Sequence, residues 1–202
     1  MQKRTDKAIR QIFYYIGLVL VFEIENLFIP GKYNMHSPID DMIPFVPIFV
    51  IPYFLWYLFL IGTGVYFLLK SREDLRKTFL SINLCMLTAI IIYALFPSYQ
   101  LLRPAVYGGD IFSQWVRILQ SFDSNTCVCP SLHVAVCISL YAGIINCGRF
   151  NNKPGIKIFA LVLTIMICIS TVFIKQHSVI DLAAGILLGI AAYIYVYRFK
   201  GK

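Results

Sequence analysis

The chain alternates between long apolar runs and short polar gaps. Six runs stand out, at residues 11–29, 45–69, 79–96, 131–147, 158–174 and 178–197. A helix needs about 20 predominantly apolar residues, within a range of about 17–25, to cross the hydrocarbon of a bilayer. The runs are continuous rather than alternating, which predicts helices and not the strands of a barrel. Each run is read as one spanning helix. The first is broken by Glu23 and Glu25 near its far end. It follows the basic start MQKRTDKAIR, but no small-x-small cleavage site follows it, so it is read as an uncleaved span. Prolines at 38, 44, 47 and 52 are expected to kink or delay the second helix without contributing chemistry.

Composition agrees with that pattern. The 202 residues are 59% hydrophobic and 14% charged, with a mean hydropathy of +0.74. A soluble domain of this length is about half apolar and a quarter charged. The fold class expected is therefore all-α, an integral membrane bundle of six transmembrane helices forming one domain over residues 1–202. The net charge of +8 falls in small clusters between apolar runs. That argues for membrane orientation rather than a nucleic-acid partner.

With the gaps numbered alternately, 14 of the 18 basic residues fall on the side of the N-terminus, from Lys3, Arg4, Lys7 and Arg10 to Arg198, Lys200 and Lys202. Lys32, Arg103, Arg117 and Lys175 fall on the other side. By the positive-inside rule both termini are cytoplasmic, and the four exceptions face outward. The long outward loop 97–130 carries Ile111, Trp115, Ile118, Leu119 and Phe122 near helical spacing. This predicts an interfacial amphipathic helix over about 110–122.

Candidate chemistry gathers on the outward side. His133 begins the fourth span and His177 precedes the sixth, whereas His36 lies in a loop without marked context. Asp181 follows His177 by four residues, the spacing that puts two side chains on one helix face. An ionisable group at the head of a spanning helix is costly and points to function. Asp181 suits a partner for the His177 Nδ1–H, leaving Nε2 free as nucleophile or base. A helix cap is the plainer alternative for it. Pro130 is expected in the first turn of the fourth helix. That helix start, with Ser131 and Leu132, offers N–H groups and a hydroxyl to an anion. Arg103 in LLRP and Lys175 add positive charge, Arg suiting bidentate phosphate contact; alone, each would be read as an interfacial anchor. Cys127 and Cys129 form a C-x-C in a loop, not the spacing of a zinc or redox site. The other four cysteines read as small hydrophobes. Asp110 and Asp123 are read as solvated.

LLRP, PSLH and HSVID occur in the order and at the spacing of the type-2 phosphatidic acid phosphatase superfamily of membrane lipid phosphatases. The resemblance covers about residues 97–189, and the six-span topology extends it over the chain. It implies that His177 attacks phosphorus to form a phospho-histidine, with Asp181 supporting it. It implies that His133 protonates the leaving oxygen and later activates water. Arg103, Ser131 and the start of the fourth helix would hold phosphate oxygens, with no cofactor and no metal. The chain departs from the family pattern at Phe96, where the family has lysine, at Thr171, where it has arginine, and at Leu132, where it has glycine. Lys175 is placed to replace one missing cation.

The functional expectation is a lipid phosphate phosphatase of the cell membrane, with its site on the extracytoplasmic face. Candidate substrates are phosphatidic acid, phosphatidylglycerol phosphate or a polyprenyl pyrophosphate. The depleted cations also suit a diester, which carries one negative charge where a monoester carries close to two. That leaves a headgroup phosphotransferase of the inositol phosphorylceramide or sphingomyelin synthase type as the second reading. A non-catalytic, transporter-like membrane protein is the third. Polar groups at one face rather than mid-membrane, and no inverted repeat, count against it. The oligomeric state is not legible in the sequence.

Overall fold

The structure, a computed structural model, describes residues 2–199 except Val106. Lys200 and Lys202 of the charge count lie outside the described residues, as do the side chains of Lys3 and Arg4. The chain is all-helical apart from two short strands. Its helices are α1 (Gln2–Phe28), α2 (Pro38–Met42), α3 (Val50–Lys70), α4 (Arg72–Leu95), α5 (Ile111–Phe122), α6 (Leu132–Asn146), α7 (Pro154–Phe173) and α8 (Val179–Ile194). Strand β1 (Tyr33–Asn34) pairs in parallel with β2 (Ser98–Tyr99).

Among the described residues, five helical segments, Lys7–Phe28, Pro47–Lys70, Arg72–Leu95, Pro154–Phe173 and Val179–Phe199, are long and apolar enough to cross a membrane. Their outer faces carry bare apolar side chains, such as Phe13, Leu20 and Leu27 on α1 and Leu58 and Ile61 on α3. Apolar surface this extensive belongs in lipid rather than water. The fourth apolar run forms α6, which has 15 residues and so spans only about 22 Å. Ser131 starts it and Cys147 ends it, followed by a turn of 3-10 helix at Gly148–Phe150. Because α3, α4, α7 and α8 all pack against it, it needs no lipid-facing length. Val134, Ala135, Val136, Cys137 and Leu140 on it are buried.

The approach of α8 to α6 depends on two glycines one helical turn apart. A Cβ added at Gly185 would lie 2.6 Å from the Ser131 carbonyl oxygen, and one at Gly189 would lie 2.8 Å from the Ile138 Cβ. Small residues at this spacing let two membrane helices touch along their backbones. Gly185→Ala is therefore expected to destabilise the bundle by about 1–3 kcal/mol. Thermal unfolding in detergent would read the loss as a lowered midpoint.

The prolines delay the second span as expected. Pro38 and Pro47 sit at the first positions of α2 and of a 3-10 turn (Pro47–Phe49), and α3 starts only at Val50. One end of the bundle gathers the segments between helices. Lys32 and Tyr33 N–H donate to the Pro97 carbonyl, Val46 N–H to Phe173, and Ser131 N–H to Asp181.

Helix α5 forms where periodicity placed it, with most of its apolar stripe on the outer face and Leu119 turned inward. Asp110, expected to be solvated, caps it by accepting from the Phe112 and Ser113 N–H groups. These bonds, with the Ser113 hydroxyl, hold the exposed Asp110 carboxyl below its ordinary pKa. Ile111, Trp115, Ile118 and Phe122 point outward, while Ser113 and Gln120 are buried with Val116 and Leu119. Gln120 is satisfied inside, donating from Nε2 to the Ile174 carbonyl at 2.9 Å. A buried amide with partners costs little, which leaves the apolar stripe free to face the membrane.

Candidate active site

His133 and His177 meet at one end of the bundle. His133 comes from the first turn of α6 and His177 from the loop before α8, and their ring centroids are 5.9 Å apart. Both rings border the same cavity, so one small group can meet the two of them together.

His177 is held from below. Its Nδ1 lies 3.4 Å from Asp181 Oδ2, at the long limit of a hydrogen bond. Asp181 also caps α8, because the same oxygen accepts the Ser178 N–H at 2.9 Å in a capping box. The cap and the imidazole support are thus one group with both tasks. Asp181 is fully buried, and its Oδ1 has no hydrogen bond of ordinary geometry. The Cys129 thiol lies against this carboxylate; burial, then the neighbouring charge, pushes its pKa up to about 12.

Three more polar atoms of the candidate set are buried without a hydrogen-bond partner: Ser131 Oγ, His133 Nε2 and Arg103 Nε. Ser131 is the N-cap of α6 by position, yet its hydroxyl caps nothing. Pro130 lies before that cap rather than inside the first turn, and the Cys129–Pro130 peptide is cis. Buried polar groups are nearly always paired. Several unpaired ones on neighbouring segments are what a site built for a polar ligand looks like.

His133 sits in an aromatic clamp that the sequence did not reveal. The Tyr53 ring lies 4.6 Å from it and the Trp56 ring 4.7 Å, centroid to centroid. Trp56 Nε1 also donates to the His133 carbonyl at 3.1 Å. The Tyr53 hydroxyl donates to Asp123 Oδ2 at 2.8 Å. Asp123, expected to be solvated, is instead tied into the site.

The two expected cations lie at the same end of the bundle as the histidines but are already engaged. Arg103 donates to the Gln120, Asp123 and Ser124 carbonyls at 2.8, 2.6 and 2.7 Å. It fastens the C-terminal end of α5, where cations suit the helix carbonyls. Burial lowers its pKa from the ordinary arginine value, with Asp123 opposing the shift. Lys175 Nζ donates to the Asp40 carbonyl at 2.6 Å. Lys175 has a φ of 58°, a left-handed turn that few non-glycine residues adopt. The chain reverses there, immediately before His177. At the family arginine position, Thr171 is buried, and its hydroxyl donates to the Cys168 carbonyl. Phe96 is largely exposed.

Asp40 is the residue that sequence reasoning missed. It lies in the proline-rich segment expected to carry no chemistry, and it is 1% exposed. Its carboxylate accepts the Ser178 hydroxyl at 2.6 Å and the Val179 N–H at 2.9 Å, completing the N-terminus of α8. It also accepts the Ser37 N–H at 2.8 Å, capping its own helix. One aspartate therefore locks the loop before α3 onto the segment that carries His177. The S-P-x-D of Ser37 to Asp40, in which a capping-box acid follows a serine by three, was the available signal.

A cavity of about 400 Å³ opens beside the imidazoles. Its lining includes His133, His177 and Leu132, with Glu23 and Phe22 of α1 and Trp56 and Tyr57 of α3. No lysine or arginine lines it.

These features define an all-helical membrane protein with two imidazoles paired beside a cavity at one end of the bundle. The PAP2 superfamily model matches residues 78–202, more than half of the chain. The chain belongs to the PAP2 superfamily of membrane lipid phosphatases. Among solved structures it is similar to LpxE of Aquifex aeolicus, with a TM-score of 0.56 and 18% identity, over 90% of this chain and 94% of that one. That likeness concerns the fold. No curated protein matches the chain.

Proposed function

We propose that the protein hydrolyses a lipid phosphate through a covalent phospho-histidine on His177. The observation that carries this reading is the convergence of His133 and His177 at 5.9 Å, with Asp181 behind His177. His177 Nε2 attacks phosphorus, and the bond to the lipid oxygen breaks as His133 delivers a proton to it. His133, now neutral, takes a proton from water, which attacks the phosphoryl group and frees His177. Covalent catalysis divides one difficult displacement into two easier ones. Ser131 Oγ, Arg103 Nε and the first N–H groups of α6 are the donors available to the equatorial oxygens. No step calls on a metal. The six-span arrangement with cytoplasmic termini, which puts the site on the extracytoplasmic face of the cell membrane, belongs to the same proposal and rests on the basic-residue asymmetry.

A second reading, headgroup transfer to an acceptor lipid, is favoured by the engaged and missing cations at Arg103, Lys175, Phe96 and Thr171. One assay separates the two. Purified protein is given labelled phosphatidic acid or polyprenyl pyrophosphate, with and without an acceptor alcohol. Free phosphate supports hydrolysis; label in a new lipid only when the acceptor is present supports transfer.

Lys175 is assigned to positioning rather than to the phosphate. Lys175→Ala is expected to lower kcat by about tenfold with little change in KM, because a displaced nucleophile costs rate rather than uniform binding. A large rise in KM alone would return Lys175 to the phosphate.

A further inference from the structure

We propose that the cavity beside the imidazoles holds a cationic group of the substrate, so that the preferred lipid phosphate carries a protonated amine or quaternary ammonium close to phosphorus. This rests on the phosphatase reading above for the position of the phosphate. Besides the two histidines, the cavity is lined by two acidic residues, Glu23 and Asp123, and by no lysine or arginine. Arg103, fastened to the Asp123 carbonyl, lies close enough to Asp123 to offset its charge, and Lys175 is fastened to the Asp40 carbonyl. Glu23 has no ion pair among the described residues. It is the carboxylate of the lining left without a cation, and a phosphomonoester lacking a counter-charge would enter past it.

The walls are suited to a cation as well. Phe22, Trp56, Tyr57, Tyr93 and Phe122 all contribute to them. Aromatic faces attract ammonium groups, most strongly where water is excluded. The Trp56 ring is at once in the cavity wall and 4.7 Å from the His133 ring. A cation against this wall is therefore next to the reacting phosphate. Glu23 interrupts the apolar run of α1 at a cost, and a substrate charge gives it a task. Its neighbour Glu25 points elsewhere, being buried and outside this lining.

The test compares a long-chain 2-aminoalkyl phosphate with its N-acetyl derivative, which differs in losing the positive charge. The wild-type protein is expected to favour the amine by at least about tenfold in kcat/KM, the scale of one desolvated cation–π or charge contact. Glu23→Gln should bring the ratio toward one, and Glu23→Lys should reverse it. A purely structural role for Glu23 would lower both rates and leave the ratio unchanged, which overturns the proposal. So does equal turnover of the two lipids by the wild type, and in that case hydrolysis itself stands. If neither lipid releases phosphate, hydrolysis fails as a reading, and binding of the same pair, followed by tryptophan fluorescence, decides the cation site. Preference for the amine upholds it; equal binding removes it.

Discussion

Replacing His177 with alanine is expected to abolish phosphate release, a loss on the order of 10³-fold or more. The fold should survive. His177 is an edge residue of the α8 start, and the cap there is made by Ser178, Asp181 and Asp40 rather than by the imidazole. A far-UV circular dichroism spectrum and thermal midpoint close to wild type, beside absent turnover, would separate chemistry from folding. The loss is large because no other group replaces the nucleophile. His133 faces the same gap, but its ring is clamped by Tyr53 and Trp56 and lacks a carboxylate like Asp181 behind it.

The second large effect is at Asp40. Asp40→Ala is expected to destabilise the protein by about 3–5 kcal/mol, the range for breaking a buried charged network from one side. Three donors lose their acceptor together: the Ser37 and Val179 N–H groups and the Ser178 hydroxyl. Activity should fall as well, because the loop carrying His177 is fastened through these bonds and through Lys175 to the Asp40 carbonyl. Asp40→Asn retains acceptor oxygen and should recover part of both. Denaturation in detergent reads the stability, and phosphate release reads the loop. If Asp40→Ala unfolds at the wild-type midpoint, the latch between α2 and α8 has been misread.

The sequence displayed some of this and concealed the rest for physical reasons. Long apolar runs are legible because lipid demands them without interruption. The run at 131–147 was legible as a helix but not as a short one, since its length in lipid depends on the neighbours that enclose it. For α5, the period of Ile111, Trp115, Ile118 and Phe122 predicted the helix, but periodicity does not say which face is inside. The bonds of Gln120 to Ile174 and of Arg103 to the end of α5 decide that.

The histidines and Asp181 were legible because charge at the head of an apolar run is costly, and four residues bring His177 to Asp181. Asp40 was not, because Ser178 is 138 residues away in the chain. Tyr53 and Trp56 were invisible for the opposite reason: aromatic residues are common in spans, and nothing local marks two of them as a clamp. Charge counting grouped Arg103 and Lys175 at one end with the histidines, but the carbonyls that occupy them come from distant loops.

The most direct measurement is the identity of the residue that carries phosphate during turnover. Protein mixed with a lipid radiolabelled at phosphorus is quenched within one turnover, digested at alkaline pH, and mapped. The account predicts an acid-labile, alkali-stable phosphoryl group on His177. Turnover that never labels the protein, or a label residing on His133 or on a serine, would contradict it.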